Sequence, residues 1–295
     1  MKKNLGLILL LILSMSVFFG CNLPQNNNVP DNSDSSGGRV DDQNNEVLDG
    51  DVGNDISDEI DQEFGTDLIM IEEPGDLSEI TSPVFVSGIA GPTFEQNIVV
   101  RITDVAGNIL AEEPTTILAD IGKAGAYMVQ LEFSITEDTP GRVTVFHTSA
   151  MNGAMQHAAS APVTLLASGN PTININIDSS EVIEILTPEF NQDVSSGVIT
   201  VTGNSEYFFE ATLVIALCGS GGNGLTHPIC GTEDNVLAVS YANIESPDIG
   251  IGGPFSGTVE FSVSEEMPAT LLVYAVSPMD GGLEHLSSVP IILVP

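Results

Sequence analysis

The chain has 295 residues, of which 41 are acidic and 6 basic, so its formal net charge is −35. This balance excludes nucleic-acid binding through clustered Lys and Arg, and it excludes attachment to anionic membranes through a polybasic patch. Hydrophobic residues make up 42% of the chain, enough for packed cores, and the length predicts about two domains of roughly 150 residues each.

The first 21 residues have the pattern of an export signal that ends in a lipidation site. A short basic start precedes the apolar run Leu5–Gly20, which is shorter than the roughly 20 residues of a membrane-spanning helix. Phe18-Phe19-Gly20-Cys21 resembles a bacterial lipobox, with Phe18 where Leu is usual. An ordinary secretory signal with a chance Cys is the alternative. We predict lipidation at Cys21 and an exported protein anchored to a bacterial membrane, facing outside the cytoplasm.

Residues 22–68 have the composition of a disordered acidic linker. Asn, Asp, Ser and Gly dominate Asn22–Leu48, and a dense acidic run follows over Asp49–Asp67. Few apolar side chains are available to offset the ordering entropy, and like charges extend the chain. The acidic run superficially resembles a calcium loop, but Gly53 and Ile60 stand where that loop requires oxygen ligands. We therefore predict a solvated spacer.

From about Leu68 the pattern changes to that of β-strands. Short β-branched runs such as Ile98–Ile102 and Arg142–Phe146 alternate with clusters of Gly, Pro, Asn and Asp. The run Val129–Ser134 alternates apolar and polar side chains, as a strand with one buried face does. Such runs at regular spacing, without a long helical period, predict an all-β sandwich or barrel.

The second half repeats the motifs of the first half in the same order. The corresponding pairs are Gly88 and Gly203, Phe94-Glu95 and Phe209-Glu210, Leu131–Ser134 and Val259–Ser262, and Pro162 and Pro290. The second copy is longer, mostly because of an insertion between Leu217 and Asn235. This agreement predicts tandem homologous domains of about 100 residues each.

Both copies resemble the immunoglobulin-like domain of bacterial spore germination, from about residue 69 to residue 295. The resemblance rests on an opening strand that ends in Pro, a strand that ends in Ser or Thr followed by Gly, a Phe-Glu pair, and a later strand that ends in Phe. In the first copy these are Glu73-Pro74, Val86–Gly88, Phe94-Glu95 and Tyr127–Phe133. The resemblance implies immunoglobulin-like β-sandwiches in an extracytoplasmic setting, with no catalytic residues and no established ligand.

The expected organisation is therefore two tandem immunoglobulin-like β-sandwiches after a signal peptide and a linker. The predicted boundaries are signal peptide 1–21, acidic linker 22–68, first domain 69–168, inter-domain linker 169–182, and second domain 183–295 with an inserted loop at 218–234. The alternation in Thr172–Ile177 leaves open whether this segment is linker, the last strand of the first domain or the first strand of the second.

The insertion carries the predicted disulfide and the predicted binding loop. An exported protein meets an oxidising compartment, so Cys218 and Cys230 are expected to pair and close a Gly-rich loop. In the chain-entropy model such a bridge contributes about 3 kcal/mol. A metal site with His227 is the alternative, but two Cys and one His form an incomplete set. Asn223, Leu225 and His227 are the candidate binding residues; a surface insertion without a partner is the other interpretation.

Two further pairs of equivalent residues are given structural roles. We expect Phe94 and Phe209 to pack over the ends of the sandwiches, because aromatic side chains dominate core energetics. The sequence does not decide whether their neighbours Glu95 and Glu210 bind a cation or accept a hydrogen bond from a backbone donor. His157 and His285 lie at equivalent ends of the two copies and are expected to share one structural position.

No sequence motif points to catalysis. The chain has no Gly-x-Ser-x-Gly elbow, no His-Glu-x-x-His motif and no phosphate-binding loop. We predict a non-enzymatic cell-envelope lipoprotein that displays its domains for binding or structural roles, with no cofactor and no metal. Its expected partners are the membrane, through the lipid, and an unidentified surface protein or glycan. The alternatives are a carbohydrate-binding surface protein, an accessory protein of spore germination or envelope assembly, and a hydrolase built on a concave polar pocket.

Overall fold

The computed structural model describes residues 69–150, 153–178, 180–219, 228–231 and 235–295. The predicted signal peptide, the lipidation site Cys21, the linker 22–68 and the loop residues Asn223, Leu225 and His227 lie outside these ranges. The described residues belong to one compact unit. Within them, no helix has the length and apolar character needed to cross a membrane.

The first half folds into eight strands. Its β-branched runs form strands because alternate side chains enter a core, and Gly, Pro and Asp end them. The strands are β1 Ile69–Glu73, β2 Ser78–Ile80, β3 Val84–Ala90, β4 Asn97–Asp104, β5 Ile109–Thr116, β6 Gly125–Leu131, β7 Thr139–Thr148 and β8 Met155–Leu165, with a 3-10 turn at Phe94–Gln96 between β3 and β4.

The second half has the same order of elements, which confirms the predicted all-β fold class. The strands are β9 Ile183–Thr187, β10 Gln192–Val194, β11 Val198–Ser205, β12 Thr212–Gly219, β13 Asn235–Ile244, β14 Gly253–Glu260, β15 Met267–Val276 and β16 Leu283–Leu293, with a 3-10 turn at Phe209–Ala211 between β11 and β12. One more 3-10 turn, Pro228–Cys230, lies in the insertion between β12 and β13.

Strands β1–β8 form the first sandwich. One sheet has the order β1–β3–β6 and the other contains β5–β4–β7–β8. Their facing side chains share one hydrophobic core, which includes Val86, Val100 and Val145. Tyr127 and Leu131 of β6 are buried in it, while Gln130 is exposed, so the predicted alternation of this strand is confirmed.

Strands β9–β16 form the second sandwich around a separate core. Strand β14 pairs with both β11 and β13, so the strands follow one continuous path, β9–β11–β14–β13–β12–β15–β16. The core includes Val201, Ile215, Phe255 and Val273, all of which are buried. Each half therefore has its own hydrophobic centre.

The two sandwiches are joined by direct pairing of their last strands. Strands β8 and β16 run antiparallel, with Ala158 opposite Leu286 and Ala159 opposite His285. This pairing makes one 13-stranded sheet that extends through both sandwiches. Short strands flank the far ends of the same two strands, because β2 pairs with β8 and β10 pairs with β16, both in parallel.

The glycine of each Ser/Thr-Gly motif lies where the neighbouring antiparallel strand and an aromatic ring both approach the backbone closely. A Cβ on Gly88 would stand 1.9 Å from the Met70 carbonyl oxygen and 2.7 Å from the Tyr127 hydroxyl. That hydroxyl donates a 2.9 Å hydrogen bond to the same carbonyl. A Cβ on Gly203 would stand 2.6 Å from the ring of Phe255. Only glycine leaves the space that the aromatic side chain fills.

The segment between the sandwiches is partly paired with the first sandwich. Thr172 forms a bridge with Glu79, and the Gly75 N–H donates to the Asn174 carbonyl at 2.8 Å. The Asn176 N–H donates to the Glu72 carbonyl at 2.9 Å. Residues 172–176 therefore run along the beginning of the first sandwich.

Candidate functional site

The junction of the two sandwiches concentrates the buried polar groups of the described residues. Strands β8 and β16 each present one face to a sandwich core and the other face outward, because successive side chains of a strand point to opposite faces. We name the core-facing side of this pair the inner junction and the opposite side the outer junction.

The outer junction is apolar and contains the disulfide. Its buried cluster takes Phe146 and Ala158 from the first sandwich and Leu272 and Leu286 from the second. Both cysteines and Ile229 of the insertion belong to the same cluster. The C-terminal end of the insertion therefore packs into the surface that holds the sandwiches together.

The predicted disulfide is present. Cys218 and Cys230 are bonded across a sequence separation of 12 residues, and both are fully buried. Cys218 lies near the end of β12 and Cys230 ends the 3-10 turn Pro228–Cys230. The bridge fixes the two ends of the insertion, and the candidate binding residues between them lie outside the described residues.

The inner junction brings two equivalent histidines together. Because Ala158 of β8 pairs with its own equivalent, Leu286 of β16, residues on either side of this pair approach their counterparts about a local two-fold axis. His157 and His285 consequently meet edge to face, with ring centroids 5.1 Å apart. Both side chains are buried, at 1% and 3% exposure.

Glu181 completes the group from the segment that leads into β9. Its Oε1 lies 3.2 Å from Nε2 of His285 and 3.6 Å from Nε2 of His157. The Ser287 hydroxyl lies 3.3 Å from the same oxygen and donates a 2.7 Å hydrogen bond to the Ile183 carbonyl. Two imidazoles and a carboxylate thus converge within 4.8 Å, the arrangement of a metal-binding set. We name these three side chains the His-His-Glu cluster.

Burial determines the charge state of the histidines in this region. Desolvation by burial is the main reason why the pKa of His157 lies well below its ordinary value of 6.5. The nearby His285 and His147 lower this pKa further. Burial alone lowers the pKa of His147 to about 4. His147 stacks at 6.5 Å from His157. Both rings are therefore neutral at physiological pH.

The cluster opens to a wide groove on the second sandwich. The groove has a volume of about 1340 Å³, and His157, Glu181 and Ser287 are among the residues that line it. Glu184 and Glu189 line it as well. The Glu181 side chain is 28% exposed, so the cluster can be reached by water and small ions.

An ion pair between Arg142 of β7 and Asp280, which precedes β16, also connects the two sandwiches. Arg142 is 4% exposed and donates from Nη2 to the Asp280 carboxylate at 3.3 Å and from Nη1 to the Ser160 hydroxyl at 2.9 Å. Ser160 in turn donates to the Leu283 and Glu284 carbonyls. Burial raises the pKa of Asp280, but bonds from Gly282 and Ser277 together with Arg142 outweigh burial and lower it overall. The pair is therefore charged on both sides.

The expectation that Phe94 and Phe209 pack over the sandwich ends is wrong. Their side chains are 64% and 59% exposed. In the first turn Glu95 and Gln96 have positive φ, which reverses the backbone and sends Gln96 inward in place of the ring. Gln96 is 3% exposed, and its amide donates to the Asp120 and Lys123 carbonyls at 3.0 and 2.9 Å.

The comparisons with known proteins identify the first sandwich. Residues 68–154 match the family model of the immunoglobulin-like domain of bacterial spore germination. The matched residues contain strands β1–β7 of the first sandwich. The resemblance found in the sequence is thereby confirmed for the first copy, and this domain supports an envelope or germination-related protein.

Other comparisons add no functional information. A search of curated proteins found no match. The solved structure of CBD12 from CALX1.2 is 10% identical, covers 71% of this chain and 82% of its own, and has a TM-score of 0.21. The periplasmic chaperone SfaE is 11% identical, covers 76% of this chain and 100% of its own, and has a TM-score of 0.21.

The sequence analysis did not identify the His-His-Glu cluster. The equivalence of His157 and His285 is visible in the sequence, but their contact depends on the pairing of β8 with β16, which no motif predicts. Glu181 is one of the 41 acidic residues of the chain, so it carried no signal of its own. The equivalence itself was the signal, because two-fold pairing of equivalent strands brings equivalent residues together.

Proposed function

We propose that the protein is a non-enzymatic lipoprotein of the bacterial cell envelope that displays two firmly joined immunoglobulin-like sandwiches for binding or scaffolding. The observation that carries this proposal is the shared β-sheet at the junction of the two sandwiches. A display module must hold its surfaces in a fixed relation, and a continuous sheet with a buried ion pair favours a fixed relation.

The site chemistry supports a role other than acid–base catalysis. Neither ring nitrogen of His157 has a hydrogen-bond partner, so no hydroxyl or thiol is paired with it as a nucleophile would be. The family of the first sandwich favours an accessory role in spore germination or envelope assembly as the more specific form of the proposal. The lipid at Cys21 and the acidic linker would hold the sandwiches away from the bilayer.

Lipidation is tested by expressing the full-length chain and a Cys21→Ala variant in a bacterium fed an alkyne fatty acid. The wild-type chain should carry the label, partition into detergent and begin at Cys21 after processing. The Cys21→Ala variant should carry none. A Cys218→Ala/Cys230→Ala variant is the matched control and should be labelled like the wild type. Equal labelling of the Cys21→Ala variant, or no label on the wild type, would overturn the lipoprotein assignment.

The fixed relation between the two sandwiches is tested by measuring the distance between a spin label on one sandwich and a spin label on the other. Met128 on β6 and Tyr241 on β13 are 60% and 63% exposed, so labelled cysteines at these positions leave the cores intact. We expect one narrow distance distribution in the full-length chain. A distribution as broad as that of flexibly linked domains would refute the fixed junction and with it the display proposal.

A further inference from the structure

The His-His-Glu cluster draws its members from three separate parts of the chain. His157 belongs to the last strand of the first sandwich, His285 to the last strand of the second, and Glu181 to the segment between them. Any ion held by all three would therefore link the two sandwiches directly.

The distances match those between the ligands of a four-coordinate metal. Zinc bonds of about 2.0–2.1 Å in tetrahedral geometry place neighbouring ligand atoms about 3.4 Å apart. Glu181 Oε1 stands 3.2 Å from one imidazole nitrogen and 3.6 Å from the other. All three ligand atoms lie within 4.8 Å of one another. Only small side-chain movements are needed to reach ideal geometry.

His157 provides independent evidence for a ligand. Its side chain is 1% exposed, yet both Nδ1 and Nε2 lack a hydrogen-bond partner. Buried polar atoms are nearly always satisfied by a hydrogen bond or a metal, because leaving them unpaired is costly. The Nε2 atom lies 3.6 Å from Glu181 Oε1, within the cluster.

We propose that His157, Glu181 and His285 bind one divalent transition-metal ion of the Zn²⁺ class and thereby lock the two sandwiches together. Two imidazole nitrogens with one carboxylate favour such an ion over Mg²⁺ or Ca²⁺, which prefer oxygen ligands. The Ser287 hydroxyl lies 3.3 Å from Glu181 Oε1, and its shorter hydrogen bond, 2.7 Å, goes to the Ile183 carbonyl. Water would supply the fourth ligand, since the Glu181 side chain is 28% exposed.

The site differs from the sequence-based expectation of no metal, and it does not depend on lipid anchoring. The alternative is a polar contact in which Glu181 bonds only His285. The strongly acidic chain, with a net charge of −35, also attracts cations non-specifically, so the test must separate the cluster from the general charge.

The experiment uses the full-length protein, purified in detergent, treated with EDTA and titrated with Zn²⁺ by calorimetry. Glu181→Ala and His285→Gln each remove one ligand. Glu184→Ala is the matched control for the first, because Glu184 lines the same groove and carries the same charge. His147→Gln is the matched control for the second, because His147 is a buried neighbour outside the cluster.

We expect one tightly bound Zn²⁺ per chain and a loss of affinity of at least about 100-fold in Glu181→Ala and His285→Gln. The two controls should stay within about 3-fold of the wild type, since neither supplies a ligand. At a Zn²⁺ concentration of about 100 times the Kd, the melting temperature should rise by about 5–10 °C in the wild type and not in the ligand variants.

Co²⁺ provides a second readout that does not depend on stability. When it replaces Zn²⁺ it should give the intense visible absorption of four-coordinate cobalt in the wild type and lose it in Glu181→Ala. Zn²⁺ binding that is equal in the wild type and the ligand variants would place the ion elsewhere and overturn the proposal. The proposal would also be overturned if the wild-type protein bound no Zn²⁺ tightly.

Discussion

Replacing Arg142 with Met should destabilise the protein, because it removes the cation that faces Asp280 across the junction. The two side chains are 4% and 8% exposed, and breaking a fully buried pair costs about 3–5 kcal/mol. Asp280 keeps the 2.9 Å hydrogen bond from the Gly282 N–H, so part of its charge stays compensated. We therefore expect a loss of about 2–3 kcal/mol, which lowers the melting temperature by about 4–12 °C.

A double-mutant cycle with Asp280→Asn separates the ion pair from the loss of packing. Each single variant leaves one buried group without its partner, whereas Arg142→Met/Asp280→Asn leaves neither charge. The free energy of unfolding, measured in urea for all four proteins, should show a coupling of about 1–3 kcal/mol. A coupling below about 0.3 kcal/mol would refute the interpretation that this pair holds the junction.

Three further predictions concern the disulfide, the buried His147 and the close approach of two strands at Gly88. Cys218→Ala/Cys230→Ala opens a loop of sequence separation 12 and should cost about 3 kcal/mol in urea unfolding; an unchanged midpoint would contradict the chain-entropy argument. Burial lowers the pKa of His147 from 6.5 to about 4, so the unfolded chain alone binds this proton between those values. The stabilisation that depends on neutral His147 is thus complete above pH 6.5 and decreases by up to about 3 kcal/mol as the pH falls towards 4. The pKa of His157 is lowered as well, so His147→Leu should reduce the pH slope of EDTA-treated protein without abolishing it; an unchanged slope would argue against the assignment. Gly88→Ala places a Cβ 1.9 Å from the Met70 carbonyl oxygen and should cost about 2–4 kcal/mol, more than Tyr127→Phe, which loses one hydrogen bond; equal thermal shifts would argue against the clash.

Local patterns predicted the strands, because a buried face leaves a two-residue period in the sequence. The run Val129–Ser134 gave the correct alternation, and the Ser/Thr-Gly motifs mark the two close approaches at Gly88 and Gly203. The disulfide was predictable as well, since two cysteines in one insertion of an exported chain have few other roles.

Long-range pairing and backbone reversals were not predictable in this way. The contact between His157 and His285 depends on which edge strands meet, and this is decided by shape and side-chain fit over the whole edge. The outward position of Phe94 depends on two residues with positive φ, Glu95 and Gln96, neither of which is a glycine. Hydrophobicity alone therefore assigned the ring to the core.

The meeting of β8 with β16 has a consequence for self-association. A free sheet edge exposes unpaired N–H and C=O groups and can pair with a strand of another molecule. Here β2 and β10 flank the far ends of these two strands, and the strands flank each other in the middle. Strand β5, at one edge of the 13-stranded sheet, carries Glu112, Glu113 and Pro114, which oppose strand addition there. These strands would thus resist edge-to-edge pairing between copies crowded at high local density.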